Sequence, residues 1–382
     1  MIPYGRQNIS QHDIDAVIEV LQSDFLTQGP AVPAFEQRLC ELTTAQYSIA
    51  VNSATSALHI ACLALGVGPG SRVWTSPISF VASANCARYC GAMVDFVDVE
   101  PDTGNMAVDQ LRQKLEQARA SDTLPQVVIP VHLAGASCDM QQIHYLANEF
   151  GFKIIEDASH AVGASYQEEP VGCCRYSDIT VFSFHPVKII TTAEGGAALT
   201  NHQQLADKMR LLRSHGISRD DAQMTEPSHG AWYYQQLLLG LNYRMTDLQA
   251  ALGLSQSQRL LPIIQQRQRL AEHYHKLLSH LPLGLPKPEP FNISAWHLYI
   301  IRFNDKTKRQ QVFDGMRAAG IGVNVHYIPI HTQPYYQQLG FDWGDFPQAE
   351  DFYERIISLP MYPELTGKQQ QFIADKLREL LE

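Results

Sequence analysis

No stretch of this chain approaches the roughly 20 consecutive apolar residues that a membrane-spanning helix requires. The opening MIPYGRQNIS also lacks the basic-then-apolar pattern of a secretory leader. Positive charge is scarce: 29 Lys and Arg stand against 39 Asp and Glu, for a net charge of −10. That balance argues against a nucleic-acid surface, which needs a basic stripe or patch. It leaves room for a local pocket that takes a phosphorylated small molecule. There is no CxxC spacing: the seven cysteines are odd in number and scattered, and the adjacent Cys173 and Cys174 have neither disulfide nor redox-motif spacing. We therefore expect buried free thiols in a reducing cytoplasm. His132, His215, His229 and His331 share no metal-ligand spacing. They read as polar surface or pocket residues, and no metal is expected.

What is present is an alternation. The first helix is announced by Ser10 as cap with Asp13 at the box position, and Ile14, Val17, Ile18 and Leu21 fall on one face. YSIAV precedes the helical SATSALHIACLALG, which can end at Gly66. RVWTS, MVDFVDV, QVVIPVHLAG, FKIIEDAS and DITVFSF are near-continuous apolar runs, as strands covered on both faces require. MAVDQLRQKLEQA and QQIHYLANEF separate some of them as helices. Strand and helix in alternation predict an α/β fold with a mostly parallel sheet and helices on both faces. From Leu248 to Leu281 the pattern is long and helical, broken at Pro262, and a proline-rich connector follows at 282–290. HLYIIRF and GVNVHYIPI read as strands flanking the helix of KRQQVFDGMRAAG, and a last helix covers 367–381. The division expected is a large α/β domain over 1–255 and a smaller α+β domain over 256–382.

In open α/β sheets, ligands bind beyond the carboxyl ends of the strands. Three polar clusters fall there. In VNSATSAL a strand gives way to small hydroxyl residues and a helix, which is a Ser/Thr cap or a phosphate site at a helix N-terminus. In IIEDASHA, Glu156 and Asp157 end an apolar strand and His160 follows; a carboxylate there caps the next helix or faces a cation such as a protonated pyridine nitrogen. In SFHPVKIITTAEGG, Lys188 sits among aromatic and small residues with few other charges, 31 residues after Asp157. A poorly hydrated lysine loses its proton more easily and attacks carbonyls. A phosphate cradle, a carboxylate for a ring nitrogen and an amine for an aldehyde are the three contacts that pyridoxal phosphate (PLP) needs.

With these clusters in this order, the sequence resembles the DegT-like sugar aminotransferases, PLP enzymes of the aspartate-aminotransferase fold (fold type I). The similarity runs over essentially the whole chain. It includes LTQGPAVPAFE, NSATSAL, TSPISFVASAN, IIEDASHAVGA, VFSFHPVKIITTAEGGA, LNYRMTDLQAALGLSQ, the HYIPIH segment and AEDFYERIISLPMYP. The resemblance implies that Lys188 forms the internal aldimine with PLP and shuttles protons. It implies that Asp157 pairs with the pyridine nitrogen, His160 hydrogen-bonds the phenolic oxygen and Phe80 stacks on the ring. The backbone of Ala54 and Thr55, with Ser183, would hold the phosphate, and Asn242 would reach it from the partner subunit of a homodimer.

Within the family, PISFVASAN, KIITTAEGG, RSHGI, VHYIPIH and AEDFYERIISLP are similar to the transaminases of pseudaminic acid biosynthesis. This implies L-glutamate as donor and a UDP-linked 4-keto-6-deoxy-N-acetylhexosamine as acceptor, in a ping-pong reaction. By the same resemblance Tyr4, Leu26, Thr27, His326, Tyr327 and Ile328 contact substrate. His185 either faces the substrate or packs locally. Arg6 and Arg244 meet a phosphate or carboxylate, or are paired at the dimer interface. Two departures stand out. Ile189 occupies the place of an expected proline, and residues 218–240, before Asn242, are long and aromatic enough to reshape a substrate entrance. Trp232, Tyr233 and Tyr234 within them read as loop or interface packing. Two other classes compete with this reading. The sugar 3-dehydratases of this fold carry histidine at the lysine position, so Lys188 argues against them. A non-catalytic PLP-binding regulator lacks support because no DNA-binding segment is appended.

Overall fold

The computed structural model describes residues 1–287 and 290–382; residues 288 and 289 of the expected connector lie outside the described residues. Helix α1 (Gln11–Leu21) begins as its sequence dictates. Ser10 Oγ accepts from Asp13 N–H, and the Asp13 carboxylate accepts from Ser10 N–H at 2.8 Å. Helix α2 (Ala31–Thr43) leads into β1 (Tyr47–Val51), and α3 (Ala54–Ala64) follows. Then come β2 (Arg72–Thr75), α4 (Ala82–Tyr89), β3 (Met93–Phe96), α5 (Val108–Ala120), β4 (Val127–Ile129), α6 (Met140–Phe150), β5 (Lys153–Asp157), β6 (Ile179–Ser183) and β7 (Gly196–Thr200).

These seven strands form one sheet in the order β1-β7-β6-β5-β4-β2-β3. The neighbours from β6 to β3 are parallel, and β7 runs antiparallel to both β6 and β1. Alternation along each strand sends side chains to the two faces of the sheet. Ile49, Val73, Ile155 and Val181 pack with α3 and α4. Ala50, Phe182 and Leu199 pack with α2, while Trp74, Val128 and Ile154 pack with α5 and α6. A sheet covered on both faces explains the unbroken apolar runs.

Helices α7 (Gln203–Arg213), α8 (Asp247–Gln258) and α9 (Leu260–Leu278) follow. The long helical pattern breaks at Arg259, three residues before Pro262. Pro262 thereby falls in the first turn of α9, where its missing N–H costs nothing. The boundary expected at 255–256 lies inside α8. The first half of α9 (Leu260, Ile263, Ile264) packs on the large sheet's core. Its second half (Leu270, Tyr274, Leu278) packs in a separate core built around β8 (Tyr299–Phe303) and β9 (Ile356–Leu359). Helices α10 (Lys308–Ala318) and α11 (Gly367–Leu381) complete that core, and Ile2 joins it.

GVNVHYIPI does not form a strand. Asn324 makes an isolated bridge there, exchanging hydrogen bonds with Ser358 at 2.8 and 3.3 Å. His326 and Tyr327 leave the line because their side chains have other partners: His326 Nδ1 meets Ser358 Oγ at 2.8 Å, and the Tyr327 hydroxyl meets His160 at 3.0 Å. Two histidines read as surface or pocket residues are instead fully buried. His132 is spent on Glu156 and His331 on Glu350, at 2.7 and 3.0 Å. Residues 217–218 and 235–236 close a hairpin that leaves Trp232 and Tyr234 exposed, while Tyr233 packs on His229. The cysteines are free, and five of the seven are buried. Among the described residues no group of side chains could hold a metal ion, and no helix is long and apolar enough to cross a membrane.

Candidate active site

Strand β5 delivers two adjacent carboxylates to the carboxyl end of the sheet, and the pleat separates them. Glu156 shares the face of Ile154. There it accepts from His132 Nε2 at 2.7 Å, from Thr180 Oγ1 at 3.0 Å and from Ser177 Oγ. Asp157 shares the face of Ile155, under α3 and α4. It is buried, and its Oδ2 accepts from Ser83 Oγ of α4 at 2.6 Å. Its Oδ1 accepts from Ser159 Oγ at 2.6 Å and from Ser159 N–H at 3.1 Å. Three donors fix the carboxylate's direction.

Lys188 stands in the loop between β6 and β7, its N–H donating to His185 O at 2.9 Å. The loop base is closed by Phe184 N–H to Gly195 O and Thr192 N–H to Phe184 O, at 3.0 and 2.9 Å. Burial pushes the Lys188 amine down from its ordinary 10.5 to about 8, against the opposing pull of Asp157. At neutral pH an appreciable share of such an amine is unprotonated and nucleophilic.

His160 follows Asp157 by three residues. Its Nδ1 accepts from Ala134 N–H at 3.3 Å, so the ring proton is on Nε2, which meets the Tyr327 hydroxyl at 3.0 Å. Burial, then the charges of Lys188 and His326, hold its pKa well below 6.5. His326 is lowered to about 4, by burial and then Lys188. Tyr4 closes this side, with its ring 5.5 Å from that of His326. Phe80 is 60 % exposed, with its ring 6.4 Å from Tyr327.

The phosphate candidates converge through register. Ser183 pairs with Gly196, and a Cβ on Gly196 would lie 2.5 Å from Ala54 N. Glycine therefore lets β7 run against the start of α3. Ser53 caps that helix by accepting from Ser56 N–H at 3.1 Å. The earlier first-turn N–H groups, at Ala54 and Thr55, have no intrahelical acceptor and suit an anion.

Other expected residues lie on the surface of the single chain. Leu26, Thr27, His185, Asn242 and Ile328 are exposed. The strand-like run through Asn242 lies beside the end of β1, with Asn52 N–H donating to Tyr243 O at 2.9 Å. The buried carboxylate of Asp247 accepts from Gly29 N–H and Ala31 N–H, both at 2.9 Å, and so anchors the segment carrying Leu26 and Thr27. His185 Nε2 is 3.9 Å from Glu194. Arg6 pairs with Glu364 at 3.5 Å, and Arg244 donates to Ser214 Oγ at 3.1 Å. Sequence reasoning missed Ser83 and Ser159 as the donors that hold Asp157. Ser159 was visible inside EDAS as a short hydroxyl side chain two residues after the carboxylate; Ser83 had no local signal.

The residues fit PLP. There is a cradle of main-chain N–H groups that a side chain at Gly196 would fill, a buried carboxylate held by three donors, and a lysine whose proton is loosened. The comparisons agree. The family model described as the DegT/DnrJ/EryC1/StrS aminotransferase family matches residues 7–378. A UDP-4-amino-4,6-dideoxy-N-acetyl-beta-L-altrosamine transaminase of Campylobacter jejuni is 37% identical over all of this chain and 98% of its own length. The spore coat polysaccharide biosynthesis protein SpsC of Bacillus subtilis is likewise 37% identical, over 100% and 97%. Among solved structures, Helicobacter pylori PseC, an aminotransferase involved in the biosynthesis of pseudoaminic acid, superposes with TM-score 0.91 at 32% identity, over 100% and 99%. Spr1654 of Streptococcus pneumoniae, solved in its PLP form and its amine (PMP) form, gives 0.89 and 0.90 at 29% identity, covering at least 98% of both chains. The chain belongs to the DegT/DnrJ/EryC1/StrS family of PLP-dependent aminotransferases, with the fold type I architecture.

Proposed function

We propose that this enzyme moves the amino group of L-glutamate to C4 of a UDP-linked 4-keto-6-deoxy-N-acetylhexosamine, in the pseudaminic acid pathway of the cytoplasm. The observation that carries the reading is Lys188, an amine lowered to about 8 beside a buried, donor-held Asp157 at the strand ends. Full-length identity of 37% to the Campylobacter transaminase supports the sugar. PLP, when bound, supplies an aldehyde that carries the amino group and a ring that spreads negative charge. Lys188 would bond to that aldehyde, take the proton from the glutamate α-carbon and return one at C4 of the sugar. Asp157 would hold the ring nitrogen protonated, His160 Nε2–H would donate to the phenolic oxygen, and Phe80 would cover the ring. Ala54, Thr55 and Ser183 would hold the phosphate. Tyr4, Leu26, Thr27, His185, His326, Tyr327 and Ile328 would line the sugar's approach.

The working form in this reading is a homodimer in which Asn242 reaches the partner's phosphate site. Asn242 is exposed in the single chain, as are Ile14, Ile18, Leu21, Phe25 and Leu26 on and just after α1. Exposed apolar groups of that extent suit a covered surface.

The test is the visible spectrum of the purified protein with L-glutamate, followed by the keto sugar. A cofactor band that bleaches with glutamate and returns with the UDP-4-keto sugar supports the reading. Bleaching without return on that sugar favours another nucleotide-linked keto sugar, for which the SpsC similarity and the exposed 218–240 hairpin speak. Binding of PLP with no bleaching by glutamate would revive the regulator.

A further inference from the structure

A second histidine ring lies against His160. His297 is 4 % exposed, with its ring centroid 4.4 Å from that of His160 and the planes tilted by 46°. The segment that carries it is stitched to the turn that holds His160. Ala295 N–H donates to Gly135 O at 2.9 Å and Leu298 N–H to Ala134 O at 3.3 Å, while Ala134 N–H is the donor to His160 Nδ1. Gly135, at φ +103°, permits the approach: a Cβ there would meet His160 O and the nitrogens of Trp296 and His297 at 3.0–3.1 Å.

Arg267 of α9 clamps this segment. Its guanidinium is buried and is spent on main-chain carbonyls: Trp296 at 2.9 Å, His297 at 3.3 Å and Met361 at 3.2 Å. Burial lowers it only to about 10, so it stays charged. His297 Nδ1 is buried with no hydrogen-bond partner. Nδ1 therefore gives His160 no hydrogen bond, and the two rings meet by contact, as a wall meets its neighbour. The charged and titratable groups around His160 are Lys188, His326, His297, Tyr327 and Asp157, with Arg267 behind His297. Cations outnumber the carboxylate there, so a dry His160 stays neutral.

We propose that His297, clamped by Arg267, is a positioning residue that keeps water from His160 and so preserves the Nε2–H tautomer that Ala134 N–H sets, since water reaching the ring would compete for Nδ1. The value of that tautomer to catalysis rests on the function proposed above; its existence does not.

The test uses the cofactor-loaded protein labelled with ¹⁵N-histidine, with the His160 ring signals identified by their loss in His160→Gln. In the wild type these signals should report a neutral Nε2–H ring that does not change between about pH 8 and pH 6, a range in which free histidine titrates. In His297→Ala the tautomers should mix and His160 should titrate within that range. His297→Phe, a wall without nitrogens, should restore the wild-type signals. Unchanged signals in His297→Ala overturn the proposal. So does a His297→Phe protein as disturbed as the alanine variant, because the nitrogens would then carry the effect. Should the alanine variant not fold, His297→Val leaves part of the ring face open and reads the same way. A wild type that exchanges no amino group with glutamate would remove the catalytic reading and leave this assignment to the spectra.

Discussion

Glu156 and Asp157 are neighbours on one strand, equally buried, and each is held by three donors. One faces a closed polar cluster: His132, Ser177 and Thr180 satisfy Glu156, and His132 and Thr180 in turn accept from Cys138 and Cys174. The other lies within electrostatic reach of Lys188, among rings whose pKa values are all displaced by burial. Burial and satisfied hydrogen bonds are common to both, so neither marks function. What separates them is a neighbour that can gain and lose a proton near pH 7, and a side chain's parity on the strand decides which carboxylate gets it.

The sharpest way to break this comparison is to neutralise each carboxylate. Asp157→Asn should cost about 100- to 1,000-fold in amino transfer, the scale seen on removing one electrostatic partner of a reacting centre. Glu156→Gln should keep the cofactor spectrum and lose about 1–3 kcal/mol of stability, because buried donors lose a charged acceptor. Spectra, steady-state rates and denaturant melts on both variants read this, and exchanged phenotypes would reverse the assignment. Next in size, Gly196→Ala should weaken PLP binding strongly, since its Cβ would lie 2.5 Å from Ala54 N; equilibrium dialysis measures it, and normal affinity would remove the cradle from this helix end.

A third test concerns pH. Lys188 has its folded pKa depressed to about 8, so the reactive neutral amine is lost as pH falls through that value. The rate at which cofactor-free protein takes up PLP should rise about tenfold per unit below pH 8 and level off above it. A rise that continues to pH 10 would mean an ordinary lysine. The smallest effect is expected from Ser83→Ala. It removes one of three donors to Asp157 and should cost about 1 kcal/mol, roughly fivefold, in cofactor affinity; a loss as large as that of Asp157→Asn would make Ser83 more than a support.

Much of this was legible in advance because it is local. The Ser10 and Asp13 box, the apolar runs of the sheet and the polar strand ends depend on residues a few positions apart. Lys188 stood out because a lone charge among aromatic and small residues needs a reason. What was not legible depends on contacts between distant segments. Ser83 reaches Asp157 across 74 positions. His132 reads as a surface or pocket residue because its buried partner Glu156 is 24 positions away. GVNVHYIPI has a strand's composition, but tertiary partners for His326 and Tyr327 outweigh the ladder it would have joined. Pro262 marked a real interruption at the wrong residue, because proline is compatible with a helix's first turn.

Helix α9 belongs to two cores at once, its first half to one and its second half to the other. A rod shared in this way leaves no seam along which the chain could be divided. Neither part should survive excision, gene fragments joined at this point should seldom yield folded hybrids, and calorimetry should record one melting transition where the outline of the sheets suggests two.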